Sequence, residues 1–147
     1  MARIGKWTTV NIDDSTPTAR DLTNDITEID GLPTTYDEIE ASGFGQDHGY
    51  VVGQGDSGFT ITGKLTTTAL TGTHTVLSGI VGDMSQTYTV TVAYGNNAAP
   101  TTGDPEFEGE FYCSSYAPGT AKDGLQTFTA KFVVAQGQAL PAWGTVA

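Results

Sequence analysis

The chain has 147 residues, a mass of 15.4 kDa and a net charge of −11, from 17 Asp and Glu against 6 Lys and Arg. That length is one domain's worth, enough to bury a core and too little for two. The acid excess argues against nucleic-acid binding over the whole surface and against docking on an anionic membrane, since both are built from clustered Lys and Arg.

No run approaches the roughly eighteen apolar residues of a transmembrane helix. The start, Met1-Ala-Arg-Ile-Gly-Lys-Trp7, lacks the apolar stretch of a secretory signal. The single cysteine, Cys113, allows no intrachain disulfide, and folding in the cytosol is the expectation.

Residues 1–20 read as a polar N-terminal arm with one strand, Trp7-Thr-Thr-Val-Asn-Ile12, broken by the turn formers of Asp13-Asp-Ser-Thr-Pro-Thr18. Tyr36-Asp-Glu-Ile-Glu-Ala-Ser42 is a weak strand with Glu38 and Glu40 on one face. Residues 43–58 form a 16-residue Gly-rich loop. Structureless loops beyond about 12–15 residues tend to be functional or disordered.

Period-two alternation then recurs. Phe59, Ile61, Gly63 and Leu65 share a face, as do Tyr88, Val90, Val92 and Tyr94. So do Phe107, Gly109, Phe111 and Cys113, and Phe128, Ala130, Phe132 and Val134. The opposite faces are rich in Thr and Glu, with Glu106, Glu108 and Glu110 in a row. The 25 Thr of the chain suit pleated surfaces. Between these strands, Leu77, Ile80 and Val81 recur at helical spacing. They predict one short helix over 73–81 on the apolar side of the sheet, capped by Thr71 or Thr73 and ended by Gly82. Residues 138–147 read as a C-terminal tail whose Trp143 is odd for a solvated segment.

The chemical motifs are weak. Gly53-Gln-Gly-Asp-Ser-Gly58 matches a dinucleotide fingerprint in letters, but a strand follows it where a helix is required. Gly55-Asp-Ser-Gly58 matches a serine-protease nucleophile motif, without the two-barrel chain that supplies its base. Asp104-Pro-Glu-Phe-Glu-Gly109 starts like a calcium loop and has Ser115 where the bidentate Glu belongs. His48 and His74 lack zinc spacing, and Cys113 falls on an apolar face. The paired glutamates (Glu38 with Glu40, Glu108 with Glu110) suit a polar strand face better than a glycosidase pair. No catalysis, cofactor or metal is expected.

Several segments together, in order, resemble the major tail (tail tube) proteins of long-tailed bacteriophages with non-contractile tails. They are Asp21–Pro33, Ile39–Asp47, Gly53–Gly63, the helix Thr73–Val81, Thr87–Tyr94, Phe107–Tyr116 and Gly124–Gly137. The resemblance spans about residues 21–137. It implies a mainly β fold, an antiparallel β-sandwich or partial barrel with one short flanking helix, over 21–137. It implies hexameric rings in which the strands of neighbours join into one β-barrel around a channel. The rings would stack into a virion tail tube, assembled in the host cytoplasm, that conducts genomic DNA during ejection. The type VI secretion tube protein is a distant analogue. Expected partners are further copies of the chain and the terminator, tape-measure and distal tail proteins, with DNA passing without specific binding.

Lumen-facing candidates are Glu38, Glu40, Glu106, Glu108 and Glu110. The arm 1–20, the loop 43–58 and the tail 138–147 are candidates for ring-to-ring contact, through Phe44, Tyr50, Val51, Val52 and Trp143. A spare polar sheet face suits a water-filled lumen, and a continuous ring of strands removes exposed edges. Two other readings stand beside this one. A capsid decoration or cement protein would bind capsid faces. A small β-sandwich carbohydrate-binding module would need an aromatic platform, for which Tyr36, Tyr50, Tyr112 and Tyr116 are available.

Overall fold

Alternation of apolar and polar residues sets the strands. The structure, a computed structural model, describes residues 2–147. After a 3-10 turn at Gly5–Trp7 come β1 (Thr8–Asp13), β2 (Ala19–Asp21), β3 (Ile26–Ile29), β4 (Thr35–Glu40), β5 (Tyr50–Asp56) and β6 (Gly58–Lys64). The helix α1 (Thr73–Ile80) follows, then β7 (Tyr88–Tyr94), β8 (Pro105–Thr120), β9 (Gln126–Val134) and β10 (Ala142–Thr145). Eight strands form one antiparallel sheet in the order β2-β1-β7-β8-β9-β6-β3, with β10 also paired to β8. Strands β4 and β5 form a separate two-stranded ribbon. The fold is mainly β and antiparallel with one helix, as expected.

The register lines up one apolar layer. Phe111 lies beside Tyr88, Phe107 beside Val92, Cys113 beside Phe132, and Phe132 beside Phe59. These residues join Val10, Ile12, Ile61, Val90, Phe128 and Ala130 in the core. From the same side α1 adds Val76, Leu77 and Ile80. Each large buried side chain contributes about 1.5–3 kcal/mol.

The sheet curls on itself. Phe59 of β6 meets Phe111 of β8 edge-on, with ring centroids 5.1 Å apart. β2 and β3 lie at opposite ends of the strand order, yet only residues 22–25 separate them in sequence. The Val10 amide donates to the Thr23 hydroxyl (3.0 Å), which stitches one end of the seam. Further along, a cleft of about 660 Å³ between Thr8 and Val10 on one side and Ile26–Ile29 on the other leaves the barrel open.

The helix falls where its spacing predicts, but neither Thr71 nor Thr73 caps it through a side chain; Gly72 is the N-cap residue. Thr73 instead ties the helix start to the end of β6, donating to the Lys64 carbonyl (2.8 Å) and accepting the Thr66 amide (3.0 Å). Gly82, at φ 74°, ends the helix and donates to the Cys113 carbonyl.

Three segment boundaries differ from the sequence reading. Residues 1–20 are not an arm: β1 sits between β2 and β7, with Val10 and Ile12 buried. Met1 lies outside the described residues. Residues 43–58 are not one loop, because β5 begins at Tyr50 and pairs with β4. Residues 138–147 are not a free tail, because β10 pairs with β8. The strand read over Trp7–Ile12 is present as β1, and what the sequence hides is its place inside the sheet; β2 and β10 are too brief to show a period, and Gly53 and Gly55 interrupt β5.

Candidate assembly surface

The polar face of the sheet carries an acidic row. Glu106, Glu108 and Glu110 alternate with the core residues Phe107 and Phe111 along β8 and so point away from the core. Glu108 is exposed; Glu106 and Glu110 are half-buried. In register, Glu106 faces Ala93 and Gly144, and Glu108 faces Thr91 and Ala142. The Glu110 carboxylate is fixed by the hydroxyls of Thr87 (2.8 Å) and Thr89 (2.6 Å). One strand further on, Asp13 of β1 accepts the Thr89 amide (3.2 Å). Burial raises Asp13 above the usual carboxylate range, against the pull of the Thr89 amide, and the charge of Glu110 adds to the rise. Lys64 approaches Asp25 at 4.0 Å and Lys131 faces Thr60 and Ser115, so the row of glutamates is not neutralised by either lysine.

Glu38 and Glu40 do not belong to this row. They lie on the ribbon, opposite Val52 and Tyr50. Glu40 Oε1 is 2.5 Å from His48 Nδ1, an exposed pair of small energetic worth. The ribbon contains five carboxylates, Asp37, Glu38, Glu40, Asp47 and Asp56, and no Lys or Arg.

That ribbon also carries exposed apolar side chains. Of twelve exposed large apolar side chains among the described residues, six lie on it: Tyr36, Ile39, Phe44, Tyr50, Val51 and Val52. Phe44 at the tip stands wholly in solvent. The pairing puts Ile39 and Val51 on one face of the ribbon and Tyr50 and Val52, between Glu38 and Glu40, on the other. A two-stranded ribbon alone is marginal in water, and apolar side chains exposed on both its faces suit burial against a partner. Its base is secured by the Ser57 hydroxyl, which donates to the Pro33 carbonyl (2.5 Å), and by Gly55, over which Tyr36 and Leu140 pack.

Trp143 leaves solvent on one side only. Its ring lies 5.1 Å from Phe107 and 5.8 Å from Tyr94, extending the core layer past the end of β9. Pro141 packs on Gly109, where a Cβ would meet it at 2.7 Å. Sequence reasoning singled out Trp143 but not the slot that receives it, nor Leu140.

The weak motifs dissolve in the geometry. Residues 53–58 run from β5 into β6, and Ser57 is spent on Pro33 while His48 is held at the ribbon. His74 bonds the Tyr116 hydroxyl (2.9 Å). Burial pushes the Cys113 thiol up to about 11, against the pull of a backbone hydrogen bond from Ser115. Tyr36 and Tyr50 are on the ribbon. Tyr112 and Tyr116 are on β8, where a bulge between Cys113 and Ser115 turns Tyr116 toward Phe128. The four tyrosines therefore form no shared platform. No group of three or more His, Cys, Asp or Glu able to hold a metal occurs among the described residues.

No protein-family model and no curated protein sequence matches the chain. Solved structures do resemble it in fold. One is a chain of the sheath-tube complex of an extracellular contractile injection system (PVC) in its extended state. It has a TM-score of 0.71 at 12% identity over 99% of this chain and 93% of that chain. A second is from the tail of an empty gene transfer agent particle refined with C6 symmetry, with a TM-score of 0.64 at 12% identity over 99% and 100%. A third is the SPP1 tail tube, with a TM-score of 0.65 at 10% identity over 99% and 80%. A contractile system is among them, so the fold does not single out non-contractile tails.

Proposed function

We propose that this chain is a structural subunit of a phage-like tail tube, without catalysis. The observation that supports this reading best is a fold shared over 99% of its length with a C6-symmetric gene transfer agent tail and with the SPP1 tail tube. Six copies form a ring by head-to-tail contacts, which close by rotation. Rings stack through the ribbon, whose Phe44, Tyr50, Val51 and Val52 are covered by the next ring. Glu106, Glu108 and Glu110, joined by Asp13, line the channel. Their charge repels passing DNA and keeps it from sticking during ejection. The ribbon acids Glu38 and Glu40 belong to the ring contact instead. Terminator, tape-measure and distal tail proteins are the other partners, and assembly takes place in the host cytoplasm before incorporation into the virion tail.

Electron micrographs of the purified full chain, alone and mixed with its tail partners, test this reading. Hollow tubes or six-fold rings are the expected outcome. Monomers or trimers that coat capsids and never form rings would replace it with the cement reading.

A further inference from the structure

We propose that β10 is an exchangeable strand: in the assembled form, the Pro141–Thr145 segment of one copy occupies the β8 slot of the next copy.

The slot comes from a mismatch of strand lengths. β8 has 16 residues, and β9 pairs with it only from Phe111 to Thr120. On that side, residues 105–108 of β8 are left to β10, in the register Ala142 to Glu108, Trp143 to Phe107, Gly144 to Glu106 and Thr145 to Pro105. The slot has two shaped positions: space over Gly109 for Pro141, and the surface of Phe107 and Tyr94 for the Trp143 ring. Strand and slot are complementary because the chain already fills the slot with its own strand. Every copy carries one of each, so the occupant from another copy needs no new recognition chemistry. A donor and an acceptor at different places on one molecule make a heterologous contact, which propagates from copy to copy.

The attachment of β10 permits release. All four of its residues are exposed. The connector before it, residues 136–140, makes no ladder bonds; a turn closed by the Gln138 amide on the Ala135 carbonyl, with Gly137 at φ 78°, folds it back. Opening that turn lets the connector reach about 20 Å at 3.3–3.6 Å per residue. Exchange conserves every strand contact of β10; what it gives up lies in the connector, the Gln138 turn and the packing of Leu140 over Gly55. Within an assembly, the neighbour's slot is presented at high effective concentration. Exchange rests on the tube reading only for which copies are neighbours.

Paired cysteines distinguish the two states. In a Cys113→Ser background, Glu108→Cys with Ala142→Cys places one thiol on the slot and one on the strand, and Glu106→Cys with Gly144→Cys is a second pair should the first fail to fold. Both pairs are oxidised in dilute monomer and in assembled material, run on non-reducing gels, and the same samples are imaged. The expected result is single-chain species from dilute monomer and a ladder of covalent multimers from assembled material. Tubes yielding only single-chain species would overturn exchange and leave the tube reading standing. Covalent multimers without tubes would support exchange and contradict the tube reading. A protein that never assembles, with single-chain species throughout, would overturn both.

Discussion

Leu140, in the connector before β10, packs directly over Gly55 of β5, with Tyr36 of β4 beside it. A Cβ on residue 55 would come within 2.7 Å of Tyr36 Cε1 and closer still to Leu140 Cδ1. The C-terminal segment and the ribbon therefore share one contact. Each sets the position of the other, and glycine at 55 is demanded by close approach rather than by backbone conformation.

Gly55→Ala is expected to destabilise the chain by about 1–3 kcal/mol, the usual cost of overpacking, and to loosen the ribbon. Denaturant unfolding measures the first and limited proteolysis between residues 41 and 49 the second. Adding Leu140→Ala should recover part of the loss. A double-mutant cycle with no coupling would mean that the two segments are independent.

The apolar layer makes a sharper demand. Phe111→Ala or Phe132→Ala should cost about 3–5 kcal/mol, since both rings are fully buried. Leu125→Ala, at a site 72% exposed, should stay within about 0.5 kcal/mol. Chemical denaturation of the three variants checks the order.

The acidic row divides into structural and free members. Glu110→Ala removes the acceptor of two threonine hydroxyls and should lower stability by about 1 kcal/mol or more. Glu108→Lys, at an exposed position, should leave the melting temperature nearly unchanged. In the tube reading it also leaves assembly intact and slows DNA release, measured by ejection kinetics. Normal release with lysine there would remove Glu108 from the channel.

Two neighbouring aspartates should respond to acid in opposite senses. Burial alone would raise Asp14; the side chains of Thr16 and Arg20 and the amides of Thr18 and Thr16 outweigh it and hold Asp14 well below the usual range. Its stabilisation is fully present above an unfolded pKa of about 3.9 and is lost as pH falls through the depressed folded value. Asp13 is raised by its burial, so ionising it costs stability as pH rises through its folded value. Melting temperatures between pH 2 and 7 should therefore show a flatter acid limb for Asp14→Asn. Asp13→Asn should melt higher than the parent at neutral pH. A parent-like profile for both would refute the assignment.

How much of this could be read from the residues depends on strand length and neighbours. Phe107, Phe111 and Cys113 keep strict alternation, and so β8 and the polarity of its glutamates are legible. Past Cys113 the bulge inverts the faces, and the extension to Thr120 disappears from the pattern. β5 reads as loop because Gly53 and Gly55 interrupt it. They are there to admit Ile39, Tyr36 and Leu140, a cause that exists only in three dimensions. β10 is four residues around one aromatic, too short for any period. Glu38 and Glu40 alternate as Glu106, Glu108 and Glu110 do, but alternation reports a strand's two faces and not the sheet to which the strand belongs.

The central claim is that this chain is an assembly subunit whose ribbon is covered by another copy. Amide hydrogen exchange of residues 35–56, followed in dilute monomer and in the assembled form, tests it most directly. Fast exchange in the monomer and strong protection across β4 and β5 after assembly is the predicted result. Equal exchange in both states would contradict the claim and leave the exposed apolar side chains of the ribbon to some other partner.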